Sequence, residues 1–388
     1  MAGVSSVKVS RRLGDQMRRA TLILCLLSSC NVTANAQSNV RKQKSIADYL
    51  RQEISAGSVV GAQVLVGSAR SRNLKTINLG TVGPGDTRPV SDETVFCLAS
   101  CSKPLASAVV FTLLDSRRLT LNQSASKTIP ALRSLVTTNG TKTRSPTLRQ
   151  LLAHRGGIYS QMEKPTKLQL SAIRDFRLSL DESAQIIAKQ PLSAAPGTKY
   201  AYSGAGYVLV GMMAEKASGM NFETLLQKNM CEPLGMSSTT YFPNARRFKE
   251  IASGGKSQLV PPHSLGAELK LPLIGGSMYS TATDVEKFAR MVLLQGRLDG
   301  KQVLGKEAWT QFVSSAFPTQ VYGYGWRLTK QGGQVAALSH KGSLPPYQSA
   351  LLLNSQDKSY TIVLWTLAKP VDVQSTIRIR DRIDALVK

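Results

Sequence analysis

"FCLASCSKPLASA" spans residues 96–108 and holds Ser100 three positions before Lys103, where a short apolar run meets a helical pattern. The spacing by itself is common here: Ser5 with Lys8, Ser124 with Lys127, Ser253 with Lys256 and Ser355 with Lys358 repeat it. The Ser5 pair lies near the N-terminus, the Ser253 and Ser355 pairs sit in Gly-rich or strand-turn contexts, and Ser124 occupies a loop with no apolar strand leading into it. Only Ser100 is delivered by an extended stretch, "TVFCLA", to the start of a helix. Residues i and i+3 share a face there, and the free backbone N–H groups favour negative charge. A serine hydroxyl is a weak nucleophile until a base takes its proton. A lysine serves as that base when desolvation or neighbouring cations favour its neutral form. The competing reading is a serine cap followed by a surface lysine.

Outward from this segment the patterns change twice. "SIADYLRQEISAG" (45–57) reads as an amphipathic helix with Ile46, Tyr49, Leu50 and Ile54 on one face, and "GAQVLVGSA" and "NLKTINLGTVG" alternate like two strands. Beyond Ser100, Leu105, Val109, Leu113 and Leu114 recur at helical spacing, and helix or loop patterns continue to about residue 284. Strand-like segments return at 322–330, 334–342, 347–355 and 359–368, and a last helix, "VQSTIRIRDRIDALVK", closes the chain. The expectation is an α+β fold. Its antiparallel sheet lobe is built from about 41–105 and 285–388 and flanked by terminal helices, a mostly helical lobe covers about 106–284, and the active site lies at the seam.

The first 36 residues read as an export signal: Arg11, Arg12, Arg18 and Arg19 precede "ATLILCLL" and the small residues that end in "ANA". That apolar run is far shorter than the ~20 residues of a membrane-spanning helix. Two cleavage readings stand side by side. "ANA" before Gln37 suits ordinary signal peptidase, whereas "LSSC" ending at Cys30 resembles a bacterial lipobox with a lipid anchor on Cys30.

The chain has 388 residues, 42% of them hydrophobic, and a net charge of +25. Without the leader, which carries five basic groups and one acidic group, about +21 remains on residues 37–388. Such a field favours anionic neighbours such as envelope polymers, acidic headgroups or negatively charged substrates. The charges are scattered in short groups with no aromatic-studded basic stripe, so no specific nucleic-acid partner is expected. Past the leader only Cys97, Cys101 and Cys231 remain, which is no disulfide framework. His154, His263 and His340 lie far apart at no ligand spacing, so no metal or other cofactor is expected.

Further motifs follow in order: "LRQLLAHRGGI" (148–158), "PGTKYAYSGAGYVLVG" (196–211), "CEPLGM" (231–236), "GGSMYSTATDVEKFA" (275–289), "YGYGW" (322–326) and "HKG" (340–342). With "FCLASCSKPLASA" they resemble the serine β-lactamase and penicillin-binding-protein superfamily, in the branch of class C β-lactamases, D-Ala-D-Ala carboxypeptidases and related esterases. The resemblance covers roughly residues 45–387. It implies a β-lactamase/transpeptidase-like fold, Ser100 as the acylated nucleophile, Lys103 as the group that helps deprotonate it, and Tyr202 of "YSG" as a proton shuttle. "HKG" matches the family's third element. His340 is then expected to orient the tyrosine or bind a substrate carboxylate, and Gly342 to leave room for substrate. The backbone N–H groups of Ser100 and Ser343 are expected to form the oxyanion hole.

Two positions depart from the family pattern. Gly204 stands where Tyr-x-Asn has an asparagine whose amide contacts the lysine and the substrate's acyl amide, and Lys341 replaces a small hydroxylated residue. The reading is therefore an exported, cofactor-independent serine hydrolase acting through acyl-Ser100 on an ester, a D-amino-acid peptide or a β-lactam. Its partner is a small acyl substrate or cell-wall peptide, and the sequence assigns no oligomeric state. The alternative, motivated by Gly204, is a catalytically weakened envelope protein that binds peptidoglycan fragments or a partner.

Overall fold

The computed structural model describes residues 37–71, 75–244, 250–257, 259–369 and 373–387. The leader expected over residues 1–36, with Cys30 and both cleavage readings, lies outside the described residues. Strands β1 (Val59–Ser68), β2 (Ile77–Gly80), β3 (Arg327–Gln331), β4 (Gln334–Leu344), β5 (Tyr347–Asn354) and β6 (Ser359–Leu367) form one antiparallel sheet in the order β2-β1-β6-β5-β4-β3. The first strands of the chain thus pair with the last, Val64 opposite Val363 and Leu65 opposite Ile362.

Period-two alternation splits the apolar residues of these strands between two cores. Ala62, Val64 and Val66 of β1 and Val363, Trp365 and Leu367 of β6 face helix α1 (37–55) and the C-terminal helix, meeting Ile46, Ala47, Leu50, Ile379, Ile383 and Val387. Their neighbours Leu65, Tyr360, Ile362 and Leu364 face the larger core on the other side. There lie helices α2 (Ser102–Asp115), α3 (Gly204–Ser218) and α4 (Ala282–Leu293), of which α4 packs directly on β1 and β6. Helix α5 (Val373–Val387) lies on the first face.

Helix α2 departs from the one-sided stripe that its sequence suggests. Eleven of its residues, from Ser102 to Leu113, are buried, on every side of the helix. A helix enclosed in this way must be apolar on most of its surface, as "LASAVVF" is, and that segment's one hydroxyl, Ser107 Oγ, lies 3.2 Å from Tyr207 OH. Pro104 costs nothing at its start, because first-turn N–H groups have no intrahelical acceptor. The strand expected before Ser100 shrinks to Phe96–Cys97, paired with Ser280 and Tyr279, and β3 begins only at Arg327, after "YGYGW".

Trp365, buried between sheet and terminal helices, should cost about 3–5 kcal/mol when cut to alanine. Ile377, on the exposed side of α5, should shift stability by no more than about 0.5 kcal/mol. Urea denaturation of Trp365→Ala and Ile377→Ala checks the pair, and equal effects would contradict this division of the two faces.

Candidate active site

Ser100 does not open α2; it sits one step earlier, in a 3-10 turn, Ala99–Cys101, that leads into the helix at Ser102. Side chains i and i+3 eclipse in 3-10 geometry, and Lys103 Nζ lies 3.4 Å from Ser100 Oγ. Ala99 is forced to a φ of 46°, a left-handed conformation costing a non-glycine residue about 1–3 kcal/mol. Neighbouring elements hold it there. Ser102 Oγ donates to Ala99 O (2.6 Å), Ser349 Oγ of β5 donates to Leu98 O (2.6 Å), and Cys101 Sγ donates to His340 O of β4 (3.3 Å).

Gly342 explains how β4 comes so close. A Cβ there would collide with Leu98 O and Ser349 Oγ and stand 3.0 Å from Ala99 Cβ. The space left by its missing side chain is taken by the Ser100 turn rather than being left for substrate.

Lys103 is only 1% exposed. Its Nζ donates to Gly275 O at 2.7 Å and lies 4.7 Å from the centroid of the Tyr202 ring and 5.3 Å from that of Tyr207. Gly275 forms the wall, since a Cβ there would sit 3.0 Å from the lysine's Cγ, Cε and Nζ. Burial of the ammonium pulls the Lys103 pKa down to about 7, a shift only partly opposed by Cys101. The neutral amine is therefore well populated at ordinary pH.

Tyr202 completes the convergence. Burial pushes its phenol well up, and a hydrogen bond with Ser100 only partly counters that. A phenol so shifted rests protonated, which leaves the neutral Lys103 amine as the stronger base beside Ser100. His154 lies behind it, ring centroids 4.4 Å apart, and its Nδ1 accepts from Ser203 N at 3.1 Å.

His340 has a different setting from either role inferred for it. Its Nδ1 donates to Lys341 O (2.8 Å) and its Nε2 accepts from Tyr322 OH (2.9 Å). Burial, assisted by Lys103, lowers its pKa to about 3. A neutral ring with both nitrogens engaged offers no charge to a carboxylate, and its centroid stands 6.3 Å from that of Tyr202. Lys341 turns outward to pair with Asp384 of α5, away from the site. Ser343 lies opposite Gln348, whose Nε2 donates to the Ser343 hydroxyl at 2.9 Å.

In the sequence "GGSMYSTATDVEKFA" and "YGYGW" stand only as motifs, with no role attached to Gly275 or Tyr322. The glycine pair was a visible signal for close approach, but nothing local connects it with a lysine 172 positions away. Cys97, Cys101 and Cys231 are buried, and burial pushes the Cys97 and Cys101 thiols up to about 12. Among the described residues, no cluster of three or more His, Cys, Asp or Glu side chains could hold a metal ion.

The sequence model of the beta-lactamase family matches residues 46–385, nearly the whole chain. The protein belongs to the beta-lactamase family. Family membership makes it a serine hydrolase with the β-lactamase/transpeptidase-like fold. It is similar to a putative D-alanyl-D-alanine carboxypeptidase of Escherichia coli K12, 22% identical over 354 residues that cover 80% of this chain and 81% of that one. Among solved structures it resembles EstCE1, a hydrolase with promiscuous acyltransferase activity, with a TM-score of 0.72, 19% identity, and coverage of 89% of this chain and 98% of that one. A D-amino acid amidase from Ochrobactrum anthropi gives a TM-score of 0.65 at 19% identity and the same two coverages, 89% and 98%.

The buried amine of Lys103 carries a stability cost whose sign is fixed. Its folded pKa of about 7 lies below the unfolded value of about 10.4, so folding disfavours the proton at any pH where the unfolded lysine holds one. The penalty is full below about 7 and vanishes towards about 10.4. Lys103→Met should therefore raise stability at pH 7 by about 1–2 kcal/mol, with the gain shrinking by pH 10. Urea midpoints at the two pH values check this, and a lowered midpoint at pH 7 would refute it.

Proposed function

We propose that the protein transfers the acyl group of an ester or D-amino-acid peptide to Ser100 and then to water. The carrying observation is the approach of the Lys103 amine and the Tyr202 hydroxyl to one serine oxygen. In acylation, Ser100 Oγ bonds to the substrate carbonyl carbon while its proton passes to neutral Lys103. The carbonyl oxygen takes up negative charge beside the Ser100 and Ser343 N–H groups, and charge developing there is what such donors stabilise best. The bond to the leaving oxygen or nitrogen then breaks, and that atom receives a proton through Tyr202, replenished from Lys103. Water repeats the sequence on the acyl-enzyme and frees Ser100. The neutral His340 sets the position of β4 and Tyr322.

Peptide substrates are supported by the carboxypeptidase relative and esters by EstCE1. The carboxypeptidase relative also points to the bacterial cell envelope, where the basic surface would meet anionic polymers. No described helix is long and apolar enough to cross a membrane.

Ser100→Ala should abolish labelling by a fluorophosphonate and by a fluorescent penicillin, together with turnover of p-nitrophenyl esters. Turnover that survives this change would remove Ser100 from the mechanism, whereas absence of labelling and of ester turnover in the parent protein would favour the binding-protein reading. Because the base is the neutral amine, kcat/KM should rise with pH through a midpoint of about 7. A pH profile flat from 5 to 9 in buffer would exclude Lys103 as that base.

A further inference from the structure

The basic residues that look scattered along the sequence gather in one stretch. Between Asp115 and Glu163 the chain has no acidic residue and eight arginines and lysines. Folded surfaces ordinarily intersperse both signs, because a cluster of one sign repels itself. Two of the eight have structural work: Arg149 donates to Tyr324 OH (2.7 Å) and Arg155 to Gly197 O (3.0 Å). The other six are exposed. Their segment is nevertheless anchored, since Leu121, Ala125, Ile129, Leu132, Leu135 and Leu148 are buried in the main core. The charges therefore stand at fixed places on a folded surface.

Four of them meet at a small hairpin. Leu135 pairs with Thr143 and Val136 with Lys142. Leu135 is buried and Val136 and Lys142 are exposed, so alternation sends Lys142 outward, and Arg144, two residues on, to the same side. Arg133 enters the hairpin just before Leu135 and Arg144 leaves it just after Thr143, so both stand at its base. A 3-10 turn, Ala125–Lys127, is fastened there by Ala125 N to Pro146 O (2.8 Å) and Ser126 N to Ser145 Oγ (3.0 Å), which brings Lys127 to the same corner. Among the described residues none of the four pairs with a carboxylate. Exposed Ser134, Thr138 and Thr141 add hydroxyl donors. The corner also adjoins the loop behind Tyr202, because Leu192 N donates to Val136 O (2.9 Å) and Ser193 N to Gly157 O (2.7 Å).

We propose that this corner of the helical lobe docks a flexible polyol-phosphate polymer, whose phosphates are neutralised by Lys127, Arg133, Lys142 and Arg144. Guanidinium and ammonium groups among hydroxyls suit phosphate, which arginine grips through two parallel N–H groups. Other polyanions fit less well. From Ser116 to Ile158 there is no Phe, Tyr or Trp on which a nucleobase could stack. Val136 is the one exposed large apolar side chain of that stretch, too little to enter a membrane. The four cations come from a turn and from both arms of a hairpin, so the partner must bend to reach them all. The surface is independent of the Ser100 chemistry and would hold the polymer on the flank of the lobe that carries Tyr202.

The test titrates fluorescein-labelled poly(glycerol phosphate) with the full chain and reads fluorescence anisotropy between about 50 and 200 mM salt. Lys127→Gln/Arg133→Gln/Lys142→Gln/Arg144→Gln should raise Kd at least about tenfold and lower the slope of log Kd on log salt by about 3. Lys216→Gln/Lys301→Gln/Lys306→Gln/Lys330→Gln removes the same charge from exposed lysines elsewhere, and should change Kd by less than about threefold. Urea midpoints report whether each variant folds, and Arg133→Gln and Arg144→Gln singly, each expected to raise Kd about two- to threefold, carry the test if the quadruple variant does not. A parent that does not bind, equal losses in the two quadruple variants, or unchanged binding in the corner variants overturns the proposal. Tighter binding of oligo(dT), or of phosphatidylglycerol vesicles, than of the polymer also overturns it, and reassigns the surface to nucleic acid or to membrane.

Discussion

The amine of Lys103 is the constraint around which this molecule is arranged. It lies at the N-terminal end of the central helix, cut off from water, with one carbonyl, one serine oxygen and two aromatic rings around it. Desolvation that would be a defect elsewhere supplies a base at neutral pH. Every wall of that compartment comes from a different part of the chain. Gly275 precedes α4, Tyr202 precedes α3, Tyr207 belongs to α3, and β4 covers the serine turn from the sheet side.

Strain and close approach serve the same end. Ala99 is held in a left-handed conformation because Leu98, Cys101 and Ser102 are each tied to a neighbouring group, and because Gly342 lets β4 approach to contact. The 3-10 turn that results presents Ser100 one step ahead of the helix that carries Lys103, with its Oγ 3.4 Å from the lysine's Nζ. In the proposed mechanism the perturbed groups divide the proton work: a lysine near neutrality accepts, a tyrosine shifted upward relays, and a histidine shifted downward stays neutral and structural.

Much of this was legible in one dimension. Period-two patterns at both ends of the chain, with helical spacing between them, announced a sheet closed by its own termini, and the face of α1 followed from Ile46, Tyr49, Leu50 and Ile54. Ser100 could be separated from four equivalent Ser-Lys spacings by its strand-to-helix setting, and Tyr202 by the motif around it. These features are local, since period, capping and motif spacing are properties of neighbouring residues.

Other features were invisible for an equally physical reason. That α2 is buried all round depends on layers on both of its sides, which a stripe of four residues cannot announce. His340 reads in the sequence as a group that orients the tyrosine or binds a substrate carboxylate, whereas Tyr322 and its own strand engage both of its nitrogens. Lys341 is turned outward by Asp384, 43 residues on, a pairing no local pattern shows. The sequence by itself determined which segments are strand or helix, which serine is the nucleophile candidate and which family motifs are present, because short-range sterics and periodicity decide those. Only the tertiary structure decided the protonation of Lys103, the neutrality of His340 and the outward turn of Lys341, because burial and hydrogen bonding are set by groups far apart in the chain.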